Sequence, residues 1–70
     1  MVLKFEAYHD GESWCARGIG ADIFTQGQTL DELMDNIREA VALHFEGAPE
    51  IPDVLVLSEL EIGRAKAPAG

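Results

Sequence analysis

Only one stretch of this chain has helical periodicity, and that limits the folds open to it. Leu30, Leu33, Met34, Ile37, Ala40, Val41, His44 and Phe45 fall on one stripe at 3.6-residue spacing. Asp31, Glu32, Asp35, Asn36, Arg38 and Glu39 fall on the opposite side. Thr29-Leu30-Asp31-Glu32 reads as a capping box, in which the Thr29 hydroxyl accepts from the Glu32 N–H and Glu32 reaches back. Asp31 and Glu32 in the first turn also suit the helix dipole. Gly47 suits a C′ position, and Pro49 and Pro52 forbid continuation, so the spacing predicts a helix over 30–46. Whatever sheet the rest of the chain builds, one helix can cover one of its faces.

The other segments alternate. Residues 2–9 read as a strand with Leu3, Phe5 and Ala7 on one side and Val2, Lys4, Glu6 and Tyr8 on the other. Asp10-Gly11 suits a two-residue type I′ turn, with the return strand over 12–19. That turn pairs His9 with Glu12, Ala7 with Trp14, Phe5 with Ala16 and Leu3 with Gly18. Leu3, Phe5, Ala7, Trp14 and Ala16 then share a face, and aromatic beside small is good cross-strand packing. Gly18 and Gly20 mark a bend around Ile19. A short third strand follows over 22–26, closed by Gly27. The last strand reads as 53–62, with Val54, Val56, Leu60 and Ile62 inward and Leu55, Leu57, Glu59 and Glu61 outward. Its first half is apolar on both sides, the pattern of a strand covered on both faces.

The expected fold is α+β in the order β-β-β-α-β. It is an antiparallel three-stranded sheet with a fourth, parallel edge strand reached through the helix, which packs on one face. The uncovered face would expose Val2, Tyr8, Ile19, Leu55 and Leu57, and these are the expected oligomer-interface residues. Residues 1–62 form one domain, and 63–70 read as a flexible tail.

Size and charge narrow the function. Seventy residues bury a small core, and such chains commonly lean on disulfides, a metal or a partner subunit. Cys15 is the one cysteine, and His9 and His44 are the two histidines, so neither an internal disulfide nor a zinc ligand set is expected. Oligomerisation remains. Five Lys and Arg against 13 Asp and Glu give a formal charge of −8. Direct nucleic-acid binding needs a cationic face, and an anionic membrane surface would repel this chain. No apolar run approaches a membrane span, and the alternating start lacks the apolar block of a signal peptide. A soluble, cytoplasmic protein without a cofactor is expected.

Catalytic groups are sparse. Cys15 with His9 or His44 lacks an orienting third residue and reads as a buried strand cysteine. His44 reads as a partly buried histidine near the helix C-terminus, His9 as a solvated hairpin-end residue, and Trp14 as core packing. Glu6, Glu59 and Glu61 are the carboxylates that a metal-dependent nuclease would need to bring together, and on strands they read as a solvated acidic face. Gly18-Ile19-Gly20 lacks the rest of a nucleotide-binding fingerprint. No enzymatic role is expected.

The stretch Phe24-Thr25-Gln26-Gly27-Gln28-Thr29-Leu30-Asp31-Glu32, followed by Asn36-Ile37-Arg38-Glu39-Ala40, resembles the HicB-like antitoxin family. The family pattern is a short strand, Gln-Gly-polar-Thr-Leu-acidic-Glu, and a helix with Asn-x-x-Glu-Ala. The resemblance covers roughly residues 2–62. It implies a partial RNase H-like fold, assembly as a homodimer or homotetramer, and pairing with a small basic mRNA-cleaving toxin. The segment Gly18-Ile19-Gly20-Ala21-Asp22-Ile23 departs from the usual Pro-x-Leu-Pro-Gly. No stretch is available for the DNA-binding domain that many relatives carry, so operator binding is not expected. An acidic surface suits a basic partner, with Glu6, Asp10 and Glu12 as the expected contacts. Two further readings stay open: an orphan oligomeric module of the same fold, and a metal-dependent nuclease remnant.

Overall fold

The computed structural model describes residues 1–59 and 63–66. Strands β1 (Val2–His9), β2 (Trp14–Ile19) and β3 (Phe24–Gly27) precede helix α1 (Leu30–His44) and strand β4 (Asp53–Ser58). They form one four-stranded sheet in the order β3-β2-β1-β4. β1–β2 and β2–β3 pair antiparallel, and β4 runs parallel to β1 at the edge. The β-β-β-α-β order, the parallel edge strand and the single helix on the sheet are as the residue pattern implies.

The hairpin differs from expectation. Ala7 pairs with Ala16 and His9 with Trp14, so the connection is the four-residue loop 10–13, not a two-residue type I′ turn. The Asp10 side chain is the cause. Its Oδ1 accepts from the N–H groups of Glu12 and Ser13, both at 2.9 Å, and the Asp10 N–H donates to the Ser13 carbonyl at 3.1 Å. A carboxylate that satisfies two loop donors stabilises a wider turn than a bare dipeptide predicts. The register moves by two residues. A shift of two leaves every side chain on its expected face, which is why the facing assignments survive the wrong turn.

The core lies between the sheet and α1. Phe5, Ala7 and Ala16 from the sheet meet Leu33, Ile37 and Val41 from the helix, with Ile23 closing one end. Leu3, Trp14, Met34, Ala40, Phe45 and Val56 pack around this cluster. Phe5, Leu33, Ile37 and Val41 are the largest side chains wholly shielded from solvent.

The entry to α1 is built by Gly27, Thr29 and Glu32. Thr29 caps the helix, its hydroxyl accepting from the Glu32 N–H at 3.1 Å. The Glu32 carboxylate reaches back to the N–H of Gln28 at 3.3 Å, one residue before the cap. A Cβ on Gly27 would lie 2.5 Å from the Leu33 backbone nitrogen, so the strand and the first helical turn touch through a bare backbone. Asn36 Nδ2 then donates to the Gln26 carbonyl at 2.6 Å and ties the second turn to β3. The Gln-Gly-x-Thr string is therefore a strand-to-helix joint.

Other boundaries shift. β3 starts at Phe24, because Ile23 leaves the strand path to bury its side chain while its carbonyl accepts from the Gly18 N–H at 2.8 Å. The bend falls at Gly20, where φ is +80°, after β2 has passed through Ile19. α1 ends at His44, two residues early, with Phe45 as its cap. His44 is exposed and not partly buried, because the stripe has rotated past it and Phe45 packs in its place. β4 is assigned over 53–58, while Leu60, Glu61 and Ile62, expected to continue it, lie outside the described residues. Of the expected tail, residues 63–66 are exposed and outside any helix or strand, and 67–70 lie outside the described residues.

Candidate functional site

Among the described residues, no helix or further strand covers the face of the sheet away from α1. Its residues follow from the register. Leu57, Glu6, Arg17 and Phe24 cross the sheet in one row. Leu55, Lys4 and Ile19 form the next, Val2 and Asp53 another, and Tyr8, Cys15 and Gln26 the last. The apolar members stand in solvent, from 37% exposure at Tyr8 to 56% at Val2. An adjoining set of large exposed apolar side chains on one sheet face marks an interaction surface more often than a plain solvated face.

All five apolar residues expected on this face are there and exposed: Val2, Tyr8, Ile19, Leu55 and Leu57. Phe24 joins them at 55% exposure. Sequence reasoning missed it, although the alternation of Phe24 against Thr25 carried the signal once β3 was placed next to β2.

The face also carries charge of both signs. Lys4 and Arg17 stand against Glu6 and Asp53. Glu59, which follows Leu57 on the same side of the chain and lines the groove beside Glu6, adds a third carboxylate, so the face is close to neutral and carries little of the formal charge of −8. Glu6 pairs with Arg17 across β1–β2 at 3.3 Å, both half-exposed, a contact that contributes little to stability and mainly cancels charge. Much of the excess acid sits on the outer side of α1, where Asp31, Glu32, Asp35 and Glu39 are exposed and Arg38 pairs with Asp35 at 2.8 Å.

The three expected partner-contact carboxylates therefore stand in three different environments. Glu12 is exposed at the hairpin tip. Glu6 is held by Arg17 on the open face. Asp10 is exposed, but its oxygens serve the loop: Oδ1 takes the two backbone donors, and Oδ2 lies 3.6 Å from the Cys15 thiol. Those backbone donors from Ser13 and Glu12 lower its pKa below 3.8. A shallow groove of about 320 Å³ opens beside this region, lined by Glu6, Ala7, Tyr8, Leu57, Ser58 and Glu59.

Cys15 is 2% exposed under the hairpin loop, and burial pushes its thiol pKa up. Its neighbours are Asp10 and the Ser13 carbonyl, so no base stands ready to ionise it. His9 meets Trp14 edge-on with ring centres 5.2 Å apart, and its Nδ1 accepts from the Gly11 N–H at 3.1 Å. Among the described residues, no three His, Cys, Asp or Glu side chains cluster to hold a metal ion, and no helix is long and apolar enough to cross a membrane.

Relatives share much of this sequence. The chain is 39% identical over 46 residues to a UPF0150 protein of Archaeoglobus fulgidus, covering 66% of this chain and 67% of that one. The chain belongs to the UPF0150 family. A second UPF0150 protein, from Thermotoga maritima, is 59% identical over 29 residues, which span 40% of this chain and 41% of that relative. No family profile matches the chain. No solved structure matches it either. The UPF0150 name states no activity, so any function must be argued from the surfaces described above.

Proposed function

We propose that this chain is a non-enzymatic, antitoxin-type binding module that neutralises a small basic mRNA-cleaving toxin of a type II toxin–antitoxin system in the cytoplasm. The observation that carries this reading is the partition of the surface. The sheet face is largely apolar and close to neutral, while acidic side chains are dense on the outer side of α1. A basic toxin that grips RNA phosphates presents a cationic groove, and an acidic surface complements it and speeds encounter. Glu12 at the hairpin tip and Glu6 beside the groove offer the carboxylates, with Asp10 holding the tip in shape. The open sheet face (Val2, Tyr8, Ile19, Leu55, Leu57) serves self-association into a dimer or tetramer.

The HicB-like resemblance supports the same reading. Its distinctive string is the Gln26–Glu32 strand-to-helix joint, where Gly27 and Thr29 each meet a stated geometric need. UPF0150 membership is compatible with it.

Co-expression with the small open reading frame next to this gene tests the proposal. The expected result is that the neighbour's product arrests growth alone, and that this chain restores growth and co-purifies with it. A neighbour that is harmless and does not bind would leave the orphan-module reading in its place.

A further inference from the structure

The two borders of the sheet differ in what shields them. At the β3 border α1 packs close by, and Asn36 Nδ2 donates to the Gln26 carbonyl at 2.6 Å, which occupies a backbone acceptor there. The β4 border has no such cover among the described residues, because α1 lies mainly against β3 and β2. The Asp53 N–H donates to the Met1 carbonyl at 3.1 Å, so Asp53 turns its backbone to β1. By the alternation of a strand, Leu55 and Leu57 do the same, while Val54, Val56 and Ser58 direct their N–H and C=O groups outward. A row of such groups along a sheet edge is a template for another strand.

Charge decides which strand fits. Asp53, Leu55, Leu57 and Glu59 follow one another on the open side, with Val54 and Val56 on the helix side. The border is thus apolar in the middle and ends in a carboxylate at each end, the two about 20 Å apart at the rise of a strand. Both carboxylates are exposed. Lys4 stands one strand inside, beside Leu55. A second copy of the chain suits this border poorly. An antiparallel pair centred on Val56 would set Asp53 against Glu59 twice, and like charges directly opposed are unfavourable. Every other register still adds that copy's own two carboxylates to the border. Self-association through the open sheet face does not use these backbone groups.

We infer that the β4 border is the docking edge for an extended segment of a basic partner protein. The segment adds antiparallel as a fifth strand, with an alternating apolar centre and a Lys or Arg at each end. Residues directly opposite share a face, so the two cations meet Asp53 and Glu59. The apolar residues between them meet Leu55 and Leu57 on the open side and Val56 on the helix side. The cation at the Glu59 end also reaches the groove lined by Glu6, Tyr8 and Leu57. The segment's backbone exchanges about six hydrogen bonds with Val54, Val56 and Ser58. Backbone pairing supplies affinity, and the end charges select the partner. The inference rests on the binding-module reading for the partner's basic character and adds how that partner is held.

The probe is a synthetic peptide, acetyl-Lys-Thr-Val-Val-Val-Thr-Lys-amide, titrated into the full isotope-labelled chain while amide resonances and hydrogen exchange are followed. The expected result is saturable shifts and slowed exchange at the Val54, Val56 and Ser58 N–H groups. A methyl on the nitrogen of the peptide's fourth residue, which faces Val56, should abolish binding. A methyl on the third nitrogen, which points away from β4, should leave it largely intact. Asp53→Asn and Glu59→Gln should each weaken binding about two- to five-fold, as exposed charge pairs do. Glutamates in place of the peptide's lysines should weaken it further. Shifts absent from β4, or a fourth-residue methyl without effect, would overturn the inference. So would outward β4 amides that grow more protected as the chain is concentrated without peptide, because a second copy then holds the edge. A harmless neighbour in the co-expression test refutes the toxin reading alone, whereas a peptide that does not bind refutes this inference alone.

Discussion

The strand-to-helix joint makes a quantitative prediction. In Gly27→Ala the added methyl would lie 2.5 Å from the Leu33 nitrogen and 2.9 Å from its Cα. Carbon contacts are comfortable at about 3.5–4.0 Å, so the first turn of α1 must retreat by about 1 Å. The obstacle is backbone on both sides, and no flexible side chain can yield. Retreat strains the packing of Leu33, which is wholly buried, and stretches the 2.6 Å Asn36–Gln26 bond. Overpacking of this kind costs about 1–3 kcal/mol, and the lost hydrogen bond about 1 kcal/mol more. The sum, about 2–4 kcal/mol, is a large share of the roughly 4–10 kcal/mol expected for a chain of this length. Urea unfolding followed by circular dichroism reads it, with Asn36→Ala as the control that isolates the hydrogen bond at about 1 kcal/mol. A Gly27→Ala midpoint within error of wild type would refute the claim that this joint requires a bare backbone.

Thr29→Ala should cost about 1 kcal/mol by the same titration, since it frees the Glu32 N–H at the helix start. Asp10 should make the hairpin acid-sensitive. Its folded pKa lies below 3.8, so its stabilisation is complete above that value and fades as pH falls through the folded pKa. Asp10→Asn keeps an acceptor oxygen without the titration, and its stability gap to wild type should close in that acid range. Cys15 should react slowly with a thiol reagent in the native state and fast in urea, since it is buried with a raised pKa. Rapid native labelling would show that the hairpin loop does not cover it.

Much of the fold was legible because two periodicities sufficed. Period 2 assigned the faces of β1, β2 and β4, and period 3.6 assigned Leu33, Ile37 and Val41 to the core. Three things were not legible, each for a physical reason. The hairpin turn was misjudged because a side-chain carboxylate, Asp10, competes for loop donors that a dipeptide rule assigns to backbone. The burial of Ile23 outside any strand depends on the Gly18–Ile23 hydrogen bond, a contact across a bend. His44 was misplaced because a helix stripe drifts at its end, where Phe45 took the packing position. The candidate surface divides the same way. Its apolar members could be read from alternation, but Phe24 and the charge balance of Lys4, Arg17, Glu6 and Asp53 required the strand order.

The proposed function is that of an acidic chain that silences a basic ribonuclease partner by binding it. The most direct measurement titrates the purified chain into an mRNA-cleavage reaction driven by the product of the neighbouring small gene. Inhibition should saturate at a fixed stoichiometry, weaken as salt rises, and weaken further when Glu12 is reversed to Lys. Cleavage that proceeds undiminished in an excess of the folded chain would contradict it.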